Sequence, residues 1–159
     1  MRAGDTIVAV ATGAARAPRA LVRASGPAVP EIERRLLGLA GPRRRGVVPA
    51  RVRALAPDGA PLGVPAVDFP VLALRSVAPA SYTGEDALEL LLPGNPLLVE
   101  RVVGALLGAA PGVRAAEPGE FTARAFLAGR LTLAQAEGVA ALIAARSDDE
   151  LAAAGEVLR

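Results

Sequence analysis

The sequence of 159 residues contains no cysteine, histidine, tryptophan or lysine. The lack of cysteine excludes disulfides, a thiolate nucleophile and cysteine-ligated zinc. The lack of histidine removes the commonest general base and metal ligand, and the lack of lysine excludes a Walker A loop and a Schiff-base lysine. Chemistry in this chain therefore rests on carboxylates, arginine, tyrosine, hydroxyls and the backbone, and we predict neither a metal site nor a catalytic residue.

Long hydrophobic runs are also missing, although 52% of the residues are apolar. No run reaches the roughly 18 residues that a membrane-spanning helix needs. The first residues lack the charged start, apolar block and cleavage site of a signal peptide. We therefore expect a soluble, cytoplasmic protein without membrane contact.

Charge gives little indication of a nucleic-acid partner. All 18 basic residues are arginine, and with 16 acidic residues the net charge is only +2. The run of Arg43, Arg44 and Arg45, with Arg51 and Arg53 nearby, is either a phosphate-binding patch or a solvated loop before a strand. Because no aromatic residue is interleaved for base stacking, we favour the solvated loop.

Hydrophobic periodicity predicts a domain of strands and helices. Apolar runs predict strands at residues 6–12, 20–25, 47–56, 64–75, 85–92 and 113–117, although the fifth of these also fits a helix. Helical spacing predicts helices at residues 29–39, 96–109, 121–127 and 133–146. Turn residues at 57–60 predict an antiparallel hairpin, and residues 13–18 and 78–84 predict loops. The fold class is therefore α+β, with a mixed, largely antiparallel sheet, packed helices and a helical extension.

Capping signals indicate where the later helices begin. Asn95 before a proline is typical of a helix start. Thr132 followed three residues later by Gln135 forms a capping-box pattern. Ser147, with a glutamate three residues later, is either another cap or part of a continuing helix. The apolar faces of these C-terminal helices indicate a fragment of a helical domain or an oligomer interface.

Ordered polar residues are concentrated in two stretches, residues 81–90 and 118–127. In the first, Glu85, Asp86 and Glu89 fall within five residues, which indicates either a carboxylate-rich pocket rim or turn capping at a strand edge. In the second, Glu120 and Arg124 lie one helical turn apart and share a face. Such a pair is more often structural than functional, and on a surface it contributes about 0.3–0.5 kcal/mol.

Several sequence blocks resemble one protein family. They are residues 5–9 (DTIVA), 21–26 (LVRASG), 81–86 (SYTGED), 118–127 (PGEFTARAFL) and 130–137 (RLTLAQAE). Their order and spacing resemble the N-terminal part of the tRNA modification GTPases of the MnmE family, also called TrmE. The resemblance covers essentially the whole chain, and the blocks at residues 81–86, 118–127 and 130–137 are highly specific.

The resemblance implies a fold and a function. In that family an N-terminal domain similar to the folate-binding domain of aminomethyltransferases forms a homodimer and binds 5-formyl- or methylene-tetrahydrofolate. A helical domain follows, with a GTPase domain inserted into it. With the FAD-dependent partner MnmG, the family modifies the wobble uridine of certain tRNAs. By this resemblance residues 1–117 would be the folate-type domain and residues 118–159 the first helices of the helical domain.

The sequence also departs from the family. It has no P-loop, so we expect this chain not to hydrolyse GTP by itself. Residues 15–20 (ARAPRA) replace a glycine-rich loop and retain only Arg16, while Pro18 stiffens the segment. Residues 92–96 (LPGNP) replace a segment that contains a histidine, and residues 131–133 (LTL) lack an aspartate. These changes predict a weakened or lost folate pocket as an alternative.

The chemistry of a folate indicates which residues would bind it. A pterin ring presents a donor edge that a carboxylate can accept, and its glutamate tail favours arginine. Arg23 lies in an apolar strand and is either such a clamp or the buried partner of a carboxylate. Tyr82 and Phe121 would supply an aromatic wall. The candidate cofactor-binding residues are Arg16, Arg23, Tyr82, Glu85, Asp86, Glu89, Glu120, Phe121 and Arg124.

Three functions follow as hypotheses. The first is a tetrahydrofolate-binding and dimerisation module of a tRNA-modifying GTPase, with folate bound at the dimer interface between residues 16–23 and the loop at 81–86. The second is a structural dimer module whose folate site has decayed. The third is an arginine-dependent tRNA-binding module, which would show a strong salt dependence.

Overall fold

A computed structural model describes residues 4–13, 17–40, 42–54 and 67–158. The chain divides into two compact units. The sheet unit comprises Met1–Ser81 and Glu85–Ala116, and the helical unit comprises Tyr82–Gly84 and Glu117–Arg159. Among the helices of the described residues, none is both long enough and apolar enough to cross a membrane.

The sheet unit is built on six described strands in the order β3-β4-β5-β2-β1-β6. The strands are β1 (Thr6–Val10), β2 (Ala17–Ser25), β3 (Gly46–Ala54), β4 (Val67–Ser76), β5 (Ala87–Gly94) and β6 (Val113–Ala115). Neighbouring strands are antiparallel except β1 and β6, which are parallel. The predicted α+β class with a mixed, largely antiparallel sheet is therefore confirmed.

One face of the sheet carries helices α1 (Val29–Leu37) and α2 (Pro96–Leu107). Strand residues alternate between the two faces, so every second residue of β2 and β5 enters this core. The buried members from these two strands are Ala20, Val22, Ala24, Leu88, Leu90 and Leu92. Asn95 caps α2 as expected, because its side chain accepts from the backbone N–H groups of Leu97 and Leu98. Burial of each large aliphatic side chain stabilises the fold by roughly 1.5–3 kcal/mol.

The opposite side of the sheet, called here the second face, carries the alternate strand residues. Strand register places Val47, Leu74, Glu89, Arg23 and Ala9 in one row across β3, β4, β5, β2 and β1. The row is apolar except for its two charged residues at β5 and β2. This row of the second face is therefore largely apolar, with a charged pair near its centre.

The strand boundaries differ from the predicted ones by a few residues, and two of the differences concern candidate site residues. Strand β5 begins at Ala87, so Glu85 and Asp86 lie in the preceding loop. Strand β2 begins at Ala17, which makes the end of the predicted loop extended instead. Pro18 lies at a register shift between β2 and β5. Proline has no N–H to donate to the neighbouring strand, and it is tolerated at such an irregularity. The predicted turn at 57–60 lies outside the described residues.

The helical unit contains α3 (Glu120–Leu127), α4 (Leu133–Ala144) and α5 (Asp148–Val157). The capping box at Thr132 is confirmed, since its hydroxyl and the Gln135 side chain make both reciprocal bonds. Ser147 caps a separate helix, because its Oγ accepts from the backbone N–H of Glu150. The prediction that Ser147 is a helix cap is therefore confirmed, and the alternative of a continuing helix is wrong.

Candidate functional site

A charged pair occupies the middle of the second face. Arg23 of β2 and Glu89 of β5 are direct register partners in the antiparallel ladder, and both side chains are half-buried. Cross-strand partners of this kind have Cβ atoms about 4.5–5.5 Å apart. The structure therefore brings together two of the predicted site residues that are far apart in sequence.

A second carboxylate joins this pair from the loop before β5. Ser25 lies two residues after Arg23 on the same face of β2 and is fully buried. Its Oγ donates a hydrogen bond of 2.7 Å to Oε2 of Glu85. Arg23, Glu85 and Glu89 therefore lie on one side of the sheet. Glu89 is opposite Arg23 on the neighbouring strand, and Glu85 is held at the end of β2 by Ser25.

Apolar side chains surround these charges. Leu91 of β5 is the register partner of both Leu21 and Leu72, and Leu74 is the partner of Glu89. Leu72 remains 42% exposed. A flat ring with a polar edge would thus meet aliphatic walls beside hydrogen-bonding carboxylates, which is the usual composition of a small-molecule site. We call Arg23, Ser25, Glu85 and Glu89, with these leucines, the second-face site.

Asp86 faces a different environment from its neighbour Glu85. Its Oδ1 lies 2.6 Å from Nη1 of Arg43 and accepts a 3.0 Å hydrogen bond from the backbone N–H of Ala78. Both contacts are internal to the sheet unit. The structure therefore gives Asp86 a role in holding its own loop, and its predicted contact with a cofactor stays a prediction.

Arg43 is the centre of a charge network formed by Glu33, Arg43, Arg75 and Asp86. Its Nε and Nη2 donate to the two carboxylate oxygens of Glu33 at 2.8 and 2.9 Å, and Arg75 donates to the same carboxylate at 2.8 Å. Glu33 is only 1% exposed. Burial by itself lowers the pKa of the Arg43 guanidinium, but hydrogen bonding and charge from Glu33, and then Asp86, raise that pKa above its usual value.

The sequence prediction missed this network, although it contained a signal. Glu33 lies four residues from both Val29 and Leu37, which are buried. A position with that spacing shares the apolar face of a helix. A charged residue there needs a buried partner, and the arginine-rich segment after the helix provides one.

The arginine run is divided between two environments. Arg43 is half-buried and belongs to the charge network, so the expectation of a solvated loop is wrong for this residue. Arg44 and Arg45 are exposed, as that expectation requires. Arg51 of β3 pairs with Asp68 of β4 at 2.9 Å, and both side chains are exposed. Arg43, the first residue of the candidate phosphate-binding patch, is therefore already bound to carboxylates of the protein itself.

The helical unit holds four of the predicted site residues, namely Tyr82, Glu120, Phe121 and Arg124. The hydroxyl of Tyr82 lies 3.1 Å from Oγ1 of Thr122, and Phe121 is half-buried in the first turn of α3. Arg124 and Glu120 form the predicted pair, with Nη2 and Oε1 3.2 Å apart. Their side chains are only 7% and 3% exposed, so the pair is buried and the small energy of a surface pair does not apply.

Glu120 also organises the start of α3. Its Oε2 accepts a 2.9 Å hydrogen bond from the backbone N–H of Glu117, which precedes the helix. The carboxylate thus satisfies a backbone donor at the helix N-terminus, where a negative charge is favourable. We find a structural use for both Glu120 and Arg124 within the helical unit.

Two segments that depart from the family pattern are residues 15–20, which contain Arg16, and residues 92–96. Arg16 lies outside the described residues. In residues 92–96, Gly94 packs against β2 so closely that a Cβ atom there would lie 2.1 Å from the carbonyl oxygen of Ala17. Asn95 caps α2. This segment therefore serves the packing of β5 and the start of α2.

Comparison with known proteins places the chain in a family. Residues 6–130 match the family model described as GTP-binding protein TrmE N-terminus. Three similar curated proteins are each named tRNA modification GTPase MnmE. The protein from Hyphomonas neptunium is 46% identical over 97% of this chain, that from Opitutus terrae 48% over 98%, and that from Caulobacter vibrioides 47% over 91%.

The match covers a limited part of those relatives. The aligned region is 33%, 32% and 30% of their respective lengths, so the chain spans about a third of each curated relative. The family model covers most of the chain and includes every described strand together with the SYTGED and PGEFT blocks. The chain therefore belongs to the TrmE family and corresponds to its N-terminal region.

Proposed function

We propose that the chain is the cytoplasmic tetrahydrofolate-binding and dimerisation module of a GTPase that modifies the wobble uridine of tRNA. The observation that carries the proposal is the second-face site, where one arginine and two glutamates lie on an apolar surface of the sheet. The names of the relatives support the link to tRNA modification. The proposal includes a sheet unit folded like the folate domain of aminomethyltransferases.

The second-face site has the chemical groups that a reduced folate requires. Glu85 and Glu89 can accept hydrogen bonds from the donor edge of a pterin ring, and Arg23 can pair with the glutamate tail. Leu21, Leu74 and Leu91 offer aliphatic surface to the ring. When bound, the folate would supply the one-carbon unit, while the residues of this chain bind and orient it.

Other members of the complex belong to the proposal as well. A MnmG-type FAD protein and tRNA would be the partners, and GTP hydrolysis would be performed by a domain that this sequence does not contain. The helical unit would be the beginning of a larger helical domain. Several of its apolar side chains are exposed, for example Ile143 at 82% and Leu133 at 58%.

Dimerisation is proposed to use the second face. Val47 and Leu72 leave 61% and 42% of their surface exposed on that face, around the charged pair. Apolar sheet surface of this kind favours association when a second copy covers it. A ligand on the same face would then lie at the contact between two copies.

A structural module with a decayed folate site is the second candidate. The observation that favours it is the use of residues 93–96 for folding, since Gly94 packs against Ala17 and Asn95 caps α2. None of these groups is a histidine, which the family has in this segment. The sheet would then retain its dimer contact without binding folate.

Calorimetric titration with 5-formyltetrahydrofolate distinguishes the two candidates. We expect micromolar binding by the parent chain and about tenfold or greater loss in Arg23→Gln and in Glu89→Gln, because each removes a charge-assisted contact. Arg44→Gln and Glu100→Gln make the same charge changes at exposed positions and should bind like the parent. Absence of binding by a well-folded parent would favour the decayed site.

A further inference from the structure

We infer that Arg43 is a positioning residue for the second-face site, because it holds the segment that carries Glu85 and leads to Glu89. The inference deepens the proposed function and rests on it for the identity of the ligand. Among the described residues, Arg43 contacts Glu33, Ser76, Asp86 and Ala87, but neither Glu85 nor Glu89. Its effect on a ligand would therefore be transmitted through the backbone of residues 85–87.

Two contacts join Arg43 directly to this segment. Its Nη1 lies 2.6 Å from Oδ1 of Asp86, and its Nη2 donates to the carbonyl oxygen of Ala87 at 3.3 Å. Glu85 immediately precedes these residues and Glu89 follows two positions later. A displacement at residues 86–87 would consequently move one carboxylate and shift the start of the strand that bears the other.

The remaining contacts of Arg43 provide a fixed anchor. The guanidinium binds Glu33 of α1 through two parallel hydrogen bonds, and it also donates to the carbonyl oxygen of Ser76 at 3.2 Å. Arg43 and Glu33 are 12% and 1% exposed, so solvent gives little competition. Only a planar fork with several donors can make all these contacts at once, and lysine keeps the charge without that geometry.

The segment is held from the opposite side by β2. The backbone N–H of Gly26 donates to the carbonyl oxygen of Asp86 at 2.9 Å, and Ser25 donates to Glu85. The end of β2 therefore sets one side of the segment, and Arg43 sets the other. Loss of the Arg43 contacts should leave the sheet intact while allowing residues 85–87 to shift relative to Arg23.

The test compares Arg43→Lys and Asp86→Asn with the exposed control Arg44→Lys. Asp86→Asn removes the charge that Arg43 contacts and retains an oxygen for the N–H of Ala78, so it serves if Arg43→Lys does not fold. Backbone amide exchange is measured in residues 85–89, and binding of 5-formyltetrahydrofolate is measured at a temperature well below unfolding. We expect both test variants to exchange faster in that segment and to bind about tenfold more weakly, with the control unchanged.

Each outcome has a defined meaning. Unchanged exchange in residues 85–89 of folded Asp86→Asn and Arg43→Lys overturns the positioning role, whether or not the parent binds folate. Faster exchange with an affinity equal to that of the parent shows that Arg43 is merely structural and also overturns the inference. Absence of binding by the parent overturns the proposed function and the ligand part of the inference together.

Discussion

Glu120 and Arg124 form a buried charge pair, and this pair shows what such pairing does at a single residue. The carboxylate faces a guanidinium and a backbone N–H at the start of α3. Because both side chains are almost fully buried, neither can exchange its partner for water without a change in structure. The pair therefore stabilises the first turn of α3 and the residues that lead into it.

Replacing this carboxylate tests that role. We expect Glu120→Gln to lower the free energy of unfolding by about 3 kcal/mol, since removal of one charge from a buried pair is strongly destabilising. Tyr82 is the single tyrosine in a chain without tryptophan, and it belongs to the same compact unit as Glu120. Its fluorescence during urea unfolding therefore reports on the helical unit.

The matched control for this measurement is Glu117→Gln. Glu117 is exposed, and its contacts with Glu120 are made by its backbone N–H and carbonyl oxygen. The same charge change there should leave unfolding almost unaltered. Equal midpoints for the two variants would contradict a structural role for the buried pair.

Residue-scale prediction from the sequence succeeded where the partners are close together along the chain. The spacing of Glu120 and Arg124 is sufficient to place them on one helical face, and the structure confirms their contact. The sequence could not show that the pair is buried, because burial depends on packing by distant segments. Ser25 was missed for the same reason, since its partner Glu85 lies 60 residues away.

At the scale of elements, close packing of β5 on β2 places a strict demand on Gly94. A Cβ atom at this position would overlap the carbonyl oxygen of Ala17, and a backbone atom cannot rotate away as a flexible side chain can. The register shift beside Ala17 lies at the same place. The lack of a side chain at Gly94 is therefore what allows β5 to pack this closely on β2.

Gly94→Ala should therefore destabilise the protein by about 2 kcal/mol, as overpacking of a close contact does. Gly104→Ala is the control, because a Cβ atom on that exposed position of α2 would meet nothing within 4 Å. The control should be stabilising by up to about 1 kcal/mol, since alanine favours a helix more than glycine does. Thermal unfolding followed by far-ultraviolet circular dichroism measures both, and a stable Gly94→Ala would refute the close contact.

Most elements were predictable because their signals are local. Alternation identified β3, the proline after Asn95 marked the start of α2, and the capping box at Thr132 marked α4. The start of β5 was less predictable. The sequence prediction began this strand at Glu85, two residues before its observed start at Ala87. The hydrogen bonds of Glu85 and Asp86, to Ser25 and Ala78, keep them in the loop.

At the scale of the whole molecule, we propose that copies of the chain associate through the second face. We expect light scattering at micromolar concentration to give twice the mass calculated from the sequence. Leu72→Glu, which places a charge on the second face, should shift the protein towards the monomer. Leu97→Glu is the control, because Leu97 is 61% exposed on α2, which packs on the other face. A monomeric parent, or equal effects of the two substitutions, would contradict dimerisation through this face.

The fold class could be predicted from the sequence, but the order of the strands could not. Strands β2 and β5 are neighbours although more than 60 residues separate them, and no local pattern encodes that pairing. The pairing is what brings Arg23 beside Glu89. The charged residues of the candidate site could thus be named from the sequence, while their assembly on one face depends on the topology of the whole sheet.

The central claim is that a reduced folate binds to the second face of the sheet, and methyl-selective NMR tests it most directly. Adjacent leucines of β5 point to opposite faces, so Leu91 reports on the second face while Leu90 and Leu92 report on the core. We predict that 5-formyltetrahydrofolate shifts the methyl signals of Leu91, Leu21 and Leu74 and leaves those of Leu90 and Leu92 nearly unchanged. Shifts confined to other parts of the chain, or no shifts at saturating ligand, would contradict the account.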